Sequence, residues 1–184
     1  MSLGPVLPQL QPHDWPGLPH ASCRKLFPSQ GGQEEPWVSL FYPVSPLAAF
    51  VGSRRLEKLG QTREDVEREA IANLAAKTLA WRPANLEKPG GGLLGVLKLD
   101  DFFAAECILC AEHMRRAEAI FPKGEVLVVG IPRRGSLLAV PGPQARDGAF
   151  RGIVRSAFEA APRDFALTPS LFVMKRGRLL GRLN

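Results

Sequence analysis

Three residues in the stretch DDFFAAECILCAEHMRR can in principle bind metal or exchange electrons: Cys107, Cys110 and His113, spaced Cys-x-x-Cys-x-x-His. A redox pair of this spacing needs its first cysteine at a helix N-terminus, where amide donors lower the thiol pKa. A structural zinc needs four ligands, commonly two from a distant segment. The other candidates, Cys23 and His20, lie in a proline-rich segment. On a helical wheel Phe103, Cys107, Cys110, Met114, Ala117 and Phe121 form one apolar stripe with both cysteines in its middle. His113 falls about 60° from Cys110, at the edge of the stripe near Glu106. Free cysteine packs as a small hydrophobe. The pattern therefore predicts the inner face of a helix, with no metal and no cofactor assigned.

Other chemistry rests on charge. No G-x-S-x-G, phosphate-binding loop or H-E-x-x-H occurs. Arg133 and Arg134 occupy one predicted hairpin turn, and Lys175, Arg176 and Arg178 another. Two basic tips in one sheet predict a single patch for phosphate or carboxylate groups. Asp100 and Asp101 stand at a strand-to-helix junction, where a helix cap is the ordinary role. Together with Glu106, Arg133 and Arg134 they are the residues an enzyme of unknown reaction would use. Single-stranded nucleic acid calls for exposed aromatics between the basic residues. Phe172 is the candidate there, and its alternation predicts burial.

The elements that must position these residues follow from pattern. Residues 1–36 hold seven of the 17 prolines, which argues against helix or central strand and predicts an irregular N-terminal arm, with His13 and His20 solvated. WVSLFYPV and LAAFV (37–44 and 47–51) read as strands, with Pro43 and Pro46 marking a break or an edge. Thr62 is a good N-cap for a helix whose apolar positions recur to Trp81, stopped by Pro83. EKPGGG (87–92) reads as a loop and LLGVLKL (93–99) as a strand. A helix over 101–121 follows, ended by 122–124. EVLVVGI and SLLAV (125–131 and 136–140) form a hairpin, and Asp147 can cap a third helix. LFVMK and RLLGRL close the chain as a second hairpin turning at Arg176-Gly177. Hairpins outnumber crossovers. The expected class is α+β, a mainly antiparallel sheet with about three helices packed on it. The expected division is an arm over 1–36 and one domain over 37–184.

Composition sets the surroundings. The chain has 184 residues and a net charge of +6, distributed as −1 over 1–36, +2 over 37–100 and +5 over 101–184. A basic half points to an anionic partner. Three cysteines, one far from the others, argue against a secreted disulfide framework. No signal peptide is visible, and no apolar run approaches the roughly 18 residues a membrane span needs. The expectation is a reducing cytoplasm.

The run RRLEKLGQTREDVEREAIANL (54–74) resembles the YtpQ family of uncharacterised bacterial proteins, through Leu56, Leu59, Gly60, Ala70, Asn73 and Leu74. DDFFAAECIL and EVLVVGIPRRGSLLAV resemble that family's acidic-aromatic helix entry and its Arg-bearing strand. The likeness spans roughly residues 37–183. It departs at Glu106-Cys107, where members carry a small hydroxyl residue, and at Gly135, where they carry an acid. The resemblance implies a bacterial cytoplasmic α+β domain with no established activity.

The sequence thus predicts a non-catalytic protein-binding or adaptor module, with Arg133, Arg134, Lys175, Arg176 and Arg178 as the binding residues and the arm as an added contact. The alternatives are the enzyme around Asp100, Asp101, Glu106, Arg133 and Arg134, and nucleic-acid binding through the basic half. A second copy of the chain is a further partner to test.

Overall fold

The structure is a computed structural model that describes residues 4–27, 35–44, 47–121 and 125–183. It is α+β, with two antiparallel sheets of four and six strands in two compact units, Met1–Thr78 and Leu79–Asn184.

The first unit corrects the expected arm. Leu7–Gln11 is a strand (β1) that pairs antiparallel with β3 (Trp37–Val44), Leu10 lying opposite Val38. The short β2 (Arg24–Lys25) and β4 (Leu47–Phe50) pair with other stretches of β3. Proline is tolerated in β1 because it is an edge strand, where one row of amides has no ladder to serve. Val6 joins Leu40, Val51, Leu56, Val66 and Ala70 in this unit's core. Gln9 and Gln11 are buried, and Gln11 Nε2 donates to Gln9 Oε1 at 3.1 Å and to Ser39 Oγ at 3.0 Å. The N-terminal segment is therefore part of a core. Counting prolines concealed it, because Pro8 interrupts the alternation without preventing the pairing. Residues 28–34 of the expected arm lie outside the described residues, as do Pro46 and the helix stop at 122–124.

Two helices complete this unit, α1 (Ser53–Leu59) and α2 (Arg63–Ala75). Gly60 ends α1 in the left-handed region at φ 61°. Thr62 caps α2 as expected, its Oγ1 accepting the Asp65 N–H at 3.1 Å. Glu67 on α2 holds Arg24 and Arg63. Burial works to raise the Glu67 carboxyl pKa, and the two guanidiniums outweigh it and hold it below the ordinary value.

The second unit carries the strands β5 (Arg82–Glu87), β6 (Leu93–Asp100), β7 (Leu127–Gly130), β8 (Ser136–Pro141), β9 (Leu171–Lys175) and β10 (Arg178–Leu183), in the order β10-β9-β7-β8-β6-β5. Two helices join them, α3 (Ala111–Glu118) and α4 (Ala149–Glu159). One face of the sheet packs Val96, Val128, Leu138 and Val140 against Phe150, Ile153 and Val154 of α4. Gly130 allows this contact, since a Cβ there would stand 2.5 Å from Val154 Cγ2. The pleat turns Leu97, Leu99, Val129 and Leu137 to the other face, where they are also buried.

Two helical expectations are corrected. The helix expected to reach Arg82 stops at Ala75, and Arg82–Glu87 is a strand paired to β6. The residue before a proline favours extended backbone, and Ala84 and Leu86 alternate with exposed neighbours. The helix expected over 101–121 is a 3-10 turn over Ala105–Leu109, an extended residue at Cys110 (φ −104°, ψ 104°), and then α3. Among the described residues no helix is long and apolar enough to cross a membrane.

Candidate functional site

Cys107 and Cys110 are buried despite the broken helix, with the Cys107 Sγ 3.4 Å from the Phe103 carbonyl oxygen. Burial, reinforced by Glu106, pushes the Cys107 thiol far above its ordinary pKa, the opposite of what a redox nucleophile needs. All three cysteines are free, and among the described residues no three His, Cys, Asp or Glu side chains group to hold a metal.

The two basic tips do not form one patch. Leu127 of β7 lies opposite Met174 of β9, and Gly130 lies opposite Leu171. The β9–β10 turn therefore stands beyond the start of β7, and Arg133 and Arg134 stand beyond its end. At about 3.3 Å per residue, the roughly eight residues from the level of Arg176 to that of Arg133 put the two tips about 25 Å apart. This corrects the expected single patch of Arg133, Arg134, Lys175, Arg176 and Arg178.

At the β9–β10 end, Lys175, Arg176 and Arg178 surround an open depression of about 700 Å³ with Arg115 of α3, floored by Ala111 and Leu180. All four cations are exposed, and none makes an ion pair among the described residues. The turn has the left-handed pair expected of a two-residue hairpin, Arg176 at φ 53° and Gly177 at φ 70°. Gly177 is required twice over, because a Cβ would also lie 2.3 Å from the Ala111 carbonyl oxygen. Glu118 fixes the turn to α3, its two carboxylate oxygens accepting the Gly177 N–H at 3.0 and 3.1 Å. Asn-Gly is the sequence such a turn favours. An arginine at the first position keeps a charge there at some conformational cost.

At the opposite end, Arg133 and Arg134 have different fates. Arg134 is half-buried. Burial draws its guanidinium below the ordinary pKa, opposed by the charges of Glu106 and Asp164. Its backbone N–H donates to the Phe165 carbonyl oxygen at 2.9 Å, and Arg133 bridges to Ala166. Arg133 is exposed and lines a separate cleft of about 510 Å³ with Lys88, Lys98 and Ser136. Gly135 sits at φ 75°, a conformation that favours glycine.

The five residues of the enzyme alternative are thus only partly assembled. Glu106 is buried within the field of Arg134. Asp100 pairs with Lys98 at 3.0 Å, and Asp101 Oδ1 accepts the Phe103 N–H at 3.0 Å, a local turn. The cleft that Arg133 enters is bordered by Glu87 and not by Asp100, Asp101 or Glu106. Two further residues carry no signal in the sequence pattern: Arg115, hidden in a mixed-charge helix, and Phe165, which is 48% exposed beside Arg134. Phe172 is buried as expected. Comparison of the chain with family models, curated proteins and solved structures gives no match.

Proposed function

We propose that this chain is a non-catalytic protein-binding module that holds an acidic segment of a partner protein at the β9–β10 end of its six-stranded sheet. The observation that carries this reading is the set of four exposed, ion-pair-free cations, Arg115, Lys175, Arg176 and Arg178, around one open depression. A depression lined mainly by cations suits an extended chain of carboxylates better than a small substrate, whose sites are mostly apolar. The free cysteines support a reducing compartment. The bacterial cytoplasm, and the likeness to YtpQ-like proteins through motifs such as Leu56 to Gly60, belong to the same proposal.

The test is fluorescence anisotropy with a labelled ten-residue Glu-rich peptide and a labelled oligo-dT strand of equal charge. The reading expects peptide binding that weakens several-fold between 0.1 and 0.5 M salt, as screening shortens from about 10 Å. It expects loss of binding in the Lys175→Glu, Arg176→Glu, Arg178→Glu variant. Preference for the oligonucleotide would replace the adaptor reading with nucleic-acid binding.

A further inference from the structure

The cleft at the other end has a more apolar lining than the β9–β10 tip, and nothing in the adaptor reading uses it. It lies between the β5–β6–β8 part of the sheet and α4, is open to solvent on one side, and has a volume of about 510 Å³. That is within the range of roughly 300–1,000 Å³ usual for small-molecule sites. It exists because α4 carries small residues where a core helix would carry large ones. Gly152, Ser156 and Ala160 recur at a spacing of four, so they share one helical face. Gly152 lets Pro89 of the β5–β6 turn pack against the helix, since a Cβ there would be 2.6 Å from Pro89 Cγ. Ser156 and Ala160 leave the space beside it open.

The lining divides by chemistry. Leu86, Leu138, Ile153 and Ala157 supply apolar wall. Ser136 is only 4% exposed, lines the cleft, and its hydroxyl has no hydrogen-bond partner among the described residues. That hydroxyl is open to the cleft, where a ligand can reach it as donor or acceptor. The register explains its position. Ser136 stands opposite Asp100 and Leu138 opposite Lys98, so all four side chains share the face that α4 covers. Lys98 is partly neutralised by Asp100 at 3.0 Å, and Glu87 is exposed at the border. Arg133 and Lys88 make no ion pair among the described residues. Five donors thus surround an apolar trough: Arg133, Lys98, Lys88, Ser136 and Ser156.

We infer that this cleft binds a small anionic amphiphile, a molecule with one carboxylate or phosphate-ester head and an apolar body. The head takes Arg133 and the Ser136 hydroxyl, and the body lies along Ile153 and Ala157. Neither part suffices. A bare anion leaves the apolar wall in contact with water, and an uncharged body forgoes the attraction of Arg133.

The test is calorimetric titration of the full chain with octanoate, octyl phosphate, octanol and inorganic phosphate. The inference expects saturable one-to-one binding of octanoate or octyl phosphate, at least tenfold tighter than octanol and than inorganic phosphate. Which of the two anions binds more tightly identifies the head. Arg133→Gln should weaken that binding about tenfold or more. Ser156→Phe, at an exposed helical position, should abolish it while leaving the melting temperature within a degree or two. The Lys175→Glu, Arg176→Glu, Arg178→Glu variant should bind octanoate like the unaltered chain, which keeps this result independent of the adaptor reading. Octanol binding as well as octanoate, inorganic phosphate binding as well as octyl phosphate, no saturable binding, or unaltered binding by Ser156→Phe would each overturn the inference.

Discussion

The two ends of the six-stranded sheet start from the same sequence cue, basic residues in a hairpin turn, and the fold uses them in opposite ways. At the β9–β10 end the turn is a bare two-residue reversal pinned by Glu118, and its cations face solvent. At the β7–β8 end the connection is longer and backs onto 165–167, so one arginine is drawn inward toward Glu106 while its neighbour lines a cleft. Turn length decides which happens. A tight reversal exposes its side chains, and a longer loop must find partners for its own backbone and carries side chains inward with it. A basic turn in a sequence is therefore weak evidence of a surface patch until its length is known.

The sharpest way to break the comparison is charge reversal within one dipeptide. Arg134→Glu sets a second carboxylate against buried Glu106 and should cost about 2–4 kcal/mol in urea denaturation, somewhat under the usual cost of breaking a fully buried pair. Arg133→Glu should stay within about 0.5 kcal/mol. Equal costs would mean that the two side chains are equally solvated. The turns themselves give the next contrast. Gly177→Ala and Gly135→Ala both place a Cβ at positive φ, and the first also meets the Ala111 oxygen at 2.3 Å where the second has 3.4 Å to the Asp101 oxygen. Gly177→Ala should cost about 2–3 kcal/mol and Gly135→Ala about 1 kcal/mol by the same denaturation. The smallest effect is a gain. Arg176→Asn suits the left-handed position better and should stabilise by about 0.5–1 kcal/mol, while weakening the acidic peptide. A variant that is more stable and binds equally well would show that the Arg176 charge has no binding role.

Several features were legible from residues alone because they depend on neighbours in sequence. The Thr62 cap, the Arg176-Gly177 reversal and the hairpins of 125–140 and 171–183 are of this kind. Burial of Cys107 and Cys110 was also legible, though the helix expected to produce it is broken at Cys110. What stayed hidden depends on distant pairing. Leu7–Gln11 becomes a strand only because β3 offers it a partner, and Arg82–Glu87 only because β6 does. The separation of the basic tips follows from the β7–β9 register, which no local pattern encodes. The cleft had one signal in the sequence, the four-residue spacing of Gly152, Ser156 and Ala160, and it meant nothing until Lys98 and Ser136 were placed opposite it.

The central claim, that the two ends are separate sites, is tested most directly by competition. The labelled Glu-rich peptide is bound to the full chain, and octanoate is titrated to saturation while anisotropy is read. The account predicts that the peptide remains bound, with its affinity changed less than about twofold, and that Arg133→Gln leaves this result unaltered. Stoichiometric displacement of the peptide by octanoate would contradict the account, because it would make the two basic ends a single site.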